Sequence, residues 1–290
     1  MNSPSPQKND DLARTLRSLC LLRTAEDLPD FISRATRARW SPVQLLEELS
    51  RAELADRSRR SLERRLARSH LGRFKPMADY DWDWPEYIDR PAVERVLSID
   101  FINRAENVVL VATQGLGKTM IAKNLANTAI LAGHSSIFIT ASDLLLDLGK
   151  QEGSRALERR LHFYAQPKCL VIDEVGYLSY DNHAADLVFQ VVTRRYEHKS
   201  TVVTTNLAFR DWHTVFPNAA CAAALIDRLT HHSEVIPIKG ESYRNREAEE
   251  DKARRNPDPM ASRPSRPSQP PQALAAPVGR GGATRRANAK

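Results

Sequence analysis

The run ATQGLGKT, Ala112 to Thr119, sets two glycines ahead of a lysine and a threonine at the spacing of a phosphate-binding loop. In such loops the backbone amides wrap the phosphates, Lys118 reaches the β and γ phosphates of a nucleotide, and the Thr119 hydroxyl holds Mg2+. Gly115, Leu116, Gly117, Lys118, Thr119 and Met120 are therefore the expected nucleotide contacts. An apolar strand-like run, NVVLV, precedes the loop and a helical stretch comes after it, which is the context the chemistry needs. Ala112 stands where the commonest form of the motif has glycine. It ends the strand, where φ is negative, so its methyl is accommodated; at positive φ it would cost about 1–2 kcal/mol.

A second group is LVIDE, residues 170–174. Asp173 can join the shell of a magnesium ion, and Glu174 can orient and deprotonate an attacking water. Two carboxylates directly after an apolar strand are costly unless a cation or ligand meets them. The run VVTTN, residues 202–206, ends in Asn206, which at a strand tip would lie beside the γ-phosphate and the water; a turn asparagine explains the same residue. Arg228, in ALIDRL, and Arg244, after the last apolar run, read as surface arginines or as cations that stabilise transition-state charge, as a neighbour's arginine does in ring-forming ATPases.

The elements that must position these residues emerge from the pattern. From 96 to 249 five short apolar runs, at 107–112, 135–140, 168–173, 200–205 and 234–238, are separated by helical stretches, which predicts an α/β domain with a buried parallel sheet. Residues 1–76 read as a small helical domain. Leu12, Leu16 and Leu19 recur at helical spacing, a short helix is expected around Leu28, Phe31, Ile32 and Ala35, and Ser41, Pro42 and Gln44 mark the capped start of a third. That third helix carries Leu45, Leu46, Leu49, Ala52 and Leu66 as its apolar stripe. Residues 77–95 form a connector without a clear period, and residues 250–290, with seven prolines, predict a disordered basic tail.

Charge is unevenly placed. Residues 251–290 carry nine basic residues against Asp251 and Asp258, which accounts for the whole formal excess of +7. Residues 51–75 hold nine more against Glu53, Asp56 and Glu63. Two such blocks suit a polyanion, nucleic acid first, and equally describe solvated faces. The three cysteines, Cys20, Cys169 and Cys221, lie far apart, which excludes a CxxC metal or redox pair and fits a reducing compartment. No apolar run is long enough to span a bilayer and the first residues have no signal-peptide pattern, so the expected location is the cytoplasm.

Taken together, GLGKTMIAKNLA, LVIDEVGYL, the TTN strand tip and the DRLTHH to GESYR ending resemble the IstB-like ATP-binding proteins, helper ATPases encoded beside the transposase in a class of bacterial insertion sequences and related to DnaC-type loaders and DnaA initiators. The resemblance covers roughly residues 10–249. It implies a P-loop AAA+ domain with a five-stranded parallel sheet in the order 5-1-4-3-2, ATP and Mg2+ as cofactors, a homo-oligomer assembled with ATP on duplex DNA, and partnership with a transposase encoded by the same element. It assigns Lys118 and Thr119 to the Walker A motif, Asp173 and Glu174 to Walker B, Asn206 to the first sensor, Arg228 to the arginine finger and Arg244 to a second nucleotide contact. The expected function is an ATPase that assists a transposase in target selection. The alternatives are a replicative helicase loader, with the same chemistry and another client, and a nucleotide-switched DNA scaffold without significant hydrolysis, against which Glu174 argues.

Overall fold

The capping residues at 41–44 do start a helix. In the computed structural model, which describes residues 6–177, 179–243 and 246 with backbone alone for 6–8, the chain begins with α1 (Pro6–Ser18), α2 (Leu22–Glu26), α3 (Leu28–Arg37) and α4 (Pro42–Arg68). Ser41 Oγ accepts from the Gln44 amide at 3.2 Å and Gln44 Oε1 accepts from the Ser41 amide at 2.9 Å, a complete capping box with Pro42 in the first turn. Leu16, Ala25 and Leu28 form the small core of this region.

The stripe expected on α4 is only partly apolar. Leu45, Leu49 and Ala52 are half-buried, while Leu46 and Leu66 face solvent. The buried face continues instead through Glu53 and Asp56. Glu53 Oε1 accepts from the Thr24 amide at 2.7 Å, and Asp56 accepts from Arg59 at 2.6 Å and Arg60 at 2.7 Å, so paired acids occupy the place that an apolar stripe would give to leucine. The far end of α4 is tied to the sheet domain: Arg65 Nε donates to the Ile130 carbonyl at 3.2 Å, and the Phe138 amide donates to the Ser69 carbonyl at 2.8 Å.

The connector holds regular structure that its sequence did not reveal. It forms β1 (Tyr87–Ile88) and α5 (Arg90–Leu97), the latter capped by Asp89, whose side chain accepts from the Ala92 amide. Next come β2 (Asn107–Ala112), α6 (Lys118–Leu131), β3 (Ser136–Thr140), α7 (Ala141–Gly149), α8 (Ser154–Ala165), β4 (Cys169–Val175), α9 (Asn182–Arg195), β5 (Ser200–Thr205), α10 (Ala219–Thr230) and β6 (Ser233–Lys239). All five predicted strands are present, and they lie in the predicted order, β6-β2-β5-β4-β3, all parallel. The sheet is nevertheless six-stranded and mixed, because β1 adds antiparallel to the outer edge of β6, pairing Tyr87 with Lys239 and Ile88 with Ile238. That short strand covers an edge that would otherwise present unpaired amides and carbonyls.

Both faces of the sheet are covered, as near-continuous apolar strands require. Val108, Leu110, Ala112, Phe138, Val171, Val202 and Ile236 pack on one side with α5 and α6. Val109, Ile137, Leu170, Ile172 and Val203 pack on the other with α7, α8, α9 and α10. The carboxyl ends of β2, β4 and β5 therefore come together at one edge of a rigid layer. Among the described residues no helix is long and apolar enough to cross a membrane. Arg244 and the basic tail from 250 onward lie outside the described residues.

Candidate nucleotide site

The loop between β2 and α6 has the backbone that its glycines permit. Gly115 has φ +80° and Gly117 φ +82°, both left-handed. A Cβ on Gly115 would come within 2.1 Å of Ser242 Oγ, and one on Gly117 within 2.5 Å of the Tyr80 ring. Ala112 is paired with Ile238, has no positive φ and is buried in the core, so its methyl packs where glycine would leave a gap. Gly117 caps α6 and, having no side chain, makes no cap bond to the first amides of the helix. The first amides of α6 are thus left for an anion, where the helix dipole also favours negative charge.

Lys118 is almost fully buried, and its Nζ donates to the Ala112 and Thr113 carbonyls, both at 2.7 Å. The cation is stored within its own loop. Thr119 Oγ1 donates to Asp173, 2.9 Å from Oδ2, and Asp173 is only 3% exposed at the end of β4. A hydroxyl and a buried carboxylate in contact are hard oxygen donors and fit Mg2+. Leu116 is buried, its carbonyl accepting from the Tyr80 hydroxyl at 3.2 Å, and Met120 packs against the same core. Burial, with the charge of Asp81 adding to it, pushes the Tyr80 phenol up to about 12, so it remains a neutral donor.

Glu174 comes directly after Asp173 with φ +62°, at a register shift between Ile172 and Val175 on β4. A left-handed non-glycine residue costs on the order of 1–3 kcal/mol. The consequence is that the Glu174 side chain is turned to solvent while Asp173 stays inside. Asn206, just past β5, has its Oδ1 buried with no hydrogen-bond partner among the described residues, an acceptor open to a donor at the strand tips.

Arg228 is not brought to this loop. It sits in the last turn of α10, its guanidinium 4.3 Å from the centre of the Phe189 ring, and its carbonyl accepts from the Asn107 side chain at 3.2 Å. Asn107 opens β2 and Ala112 closes it. At about 3.3 Å per residue the two ends are roughly 17 Å apart, so Arg228 lies at the far end of β2 from the loop of its own chain.

Several neighbours of the loop carry no motif of their own. The Tyr243 amide donates to the Gly115 carbonyl at 3.0 Å, and Trp84 Nε1 donates to the Glu241 carbonyl at 2.9 Å, with the Trp84 and Tyr243 rings edge to face at 5.7 Å. The density of aromatics in DYDWDWPEY is the available signal, since large rings in a segment without a period indicate packing on the neighbouring core.

Comparison with known proteins agrees with this geometry. The IstB-like ATP binding protein family matches residues 14–251. A protein of insertion sequence IS5376 from Geobacillus stearothermophilus, named for ATP binding, is 36% identical over 70% of this chain and 81% of its own length. A protein of insertion sequence IS21 from Pseudomonas aeruginosa, also named for ATP binding, is 38% identical over 66% of this chain and 72% of its own. Among solved structures, DnaI superposes with a TM-score of 0.48 at 19% identity, covering 59% of this chain and 91% of that one. With a phosphate-binding loop opening α6, a buried aspartate against its threonine, and a family match that spans both, the chain belongs to the IstB-like ATP-binding proteins.

Proposed function

We propose that the chain is a magnesium-dependent ATPase that assembles with ATP on duplex DNA and assists the transposase of an insertion sequence, in the cytoplasm. The observation that carries the ATPase reading is the divergence of two adjacent acids, Asp173 buried against Thr119 and Glu174 turned outward by its left-handed backbone. In this reading Thr119 and Asp173 hold the magnesium ion, which supplies charge neutralisation at the phosphates. Lys118 gives its ammonium to phosphate oxygens, Asn206 orients the water, and the Glu174 carboxylate takes a proton from it. The names of the relatives, drawn from insertion sequences, support the transposition context.

The DNA-binding part rests on α4 and the segment after it. Arg51, Arg59 and Arg60 are engaged by Glu48, Asp56, Glu63 and Glu26. Arg57, Arg64, Arg68 and Arg73 are exposed and have no carboxylate partner among the described residues. Those four are the phosphate contacts in this reading, so the basic block offers less charge to DNA than its sequence count. Duplex binding measured against salt should lose about 0.9 in log–log slope for each of the four replaced by alanine. An unchanged slope removes this face from the interface.

Because Arg228 cannot serve its own loop, it acts on a neighbour's in the same reading. Arg228→Ala and Lys118→Ala proteins, each inactive alone, should regain part of the ATP turnover when mixed with duplex DNA, since some interfaces then join an intact loop to an intact arginine. Mixed assemblies that form and stay inactive exclude action between subunits.

A further inference from the structure

Thr204 is fully buried in β5, beside Leu110 of β2, in a strand whose preceding residues, Val202 and Val203, are apolar. A hydroxyl at such a position needs partners, and it has two. The Glu174 amide donates to Thr204 Oγ1 at 2.9 Å, and Thr204 Oγ1 donates to Asp173 Oδ1 at 2.5 Å. A hydroxyl has one proton, so accepting from Glu174 leaves that proton for Asp173 and fixes its direction. Asp173 also accepts from Thr119, which gives one chain of bonds from the Glu174 backbone through Thr204 and Asp173 to the first turn of α6.

The register shift between Ile172 and Val175 explains why this hydroxyl is needed. It takes Glu174 out of the regular ladder with β5, so its amide finds a side chain in place of a strand carbonyl. The left-handed backbone at Glu174 is thereby held by a bond that also touches the carboxylate facing Thr119. We infer that Thr204 is a positioning residue for hydrolysis: its hydroxyl locks Glu174 in the outward conformation and couples that conformation to Asp173. This rests on the ATPase reading above, with Glu174 as the base.

The experiment compares Thr204→Val, which keeps the volume and removes the hydroxyl, with Thr204→Ser, which keeps both bonds. Outer-shell partners of this kind typically change activity by about 10–100-fold. Thr204→Val should lower kcat by about that factor while KM, and the affinity for a fluorescent ATP analogue, stay within about threefold of the parent. Thr204→Ser should recover most of the loss. In the nucleotide-free protein the Glu174 amide should exchange its hydrogen faster in Thr204→Val and at the parental rate in Thr204→Ser, a readout independent of turnover. If the valine variant does not fold, Thr204→Ala replaces it, with melting used to confirm the fold. Parental kcat and parental exchange in the hydroxyl-free variant overturn the inference, as does a serine variant no better than valine. Glu174→Gln is measured in parallel: if it hydrolyses ATP like the parent, the base assignment fails, and the exchange rate alone then decides whether Thr204 holds Glu174.

Discussion

Glu174→Gln is expected to keep ATP bound and to lose turnover by about 10²–10⁴-fold, the usual range for a positioned general base. Lys118→Ala is expected to fail one step earlier. Glutamine preserves the size of the side chain and the hydrogen bond from the residue 174 amide to Thr204, to which residue 174 contributes only backbone, so the strand end should keep its shape. What is lost is the carboxylate that accepts the proton of water. Lys118, by contrast, is the cation inside the loop, bonded to the Ala112 and Thr113 carbonyls. Charge-assisted hydrogen bonds contribute about 1.5–3 kcal/mol each, so two of them to phosphate oxygens account for a loss of affinity on the order of 10²-fold or more. Titration with a fluorescent ATP analogue and steady-state phosphate release separate the two variants. Parental turnover in Glu174→Gln, or parental affinity in Lys118→Ala, would contradict the assignment concerned.

The other large effect lies far from the nucleotide. Arg195, the last residue of α9, is completely buried, and its partners are a hydroxyl and carbonyls. Nη1 donates to the carbonyls of Tyr164, Ala165 and Pro167 at 2.9–3.1 Å, Nη2 to that of Ser200 at 2.5 Å, and Nε to Thr201 Oγ1 at 3.1 Å. Burial lowers its pKa to about 10, which still leaves it charged at neutral pH. Two of these carbonyls end α8, where helix geometry leaves acceptors without intrahelical donors and where the dipole favours a cation. Arg195→Met fills similar space and strands those acceptors at about 1–3 kcal/mol each, so a loss on the order of 4 kcal/mol is expected. For a domain of this size that lowers the melting temperature by about 10 °C. Arg195→Lys should fall between the two, since one ammonium cannot span the same set. A methionine variant that melts within about 2 °C of the parent would show that water satisfies the carbonyls as well as the guanidinium does.

The features legible in the sequence have local causes. A glycine-rich loop between an apolar strand and a helix, two acids after LVI, and Ser41 with Gln44 at the third position beyond it each state their structure within a few residues. The features that escape it depend on partners distant in the chain. Tyr87 and Ile88 become a strand only because β6 offers an edge some 150 residues later. Leu46 is exposed, yet Glu53, two turns further along the same face, is buried because it meets the Thr24 amide from another helix. Thr204 reads as a β-branched strand former, and its role comes from the shift of register in β4, which no period in LVIDE announces. Arg228 is a candidate on sequence alone, but only three-dimensional placement shows that it is remote from the loop of its own chain.

The left-handed backbone at Glu174 also sets what natural variation can do there. Valine, isoleucine and threonine are barred by their branched Cβ, whatever their chemistry, while glycine takes the same φ without strain. Glycine at 174 would therefore relieve the fold and abolish the proton acceptor in one step. If Glu174 is the base, selection for thermal robustness and selection for turnover pull this position in opposite directions.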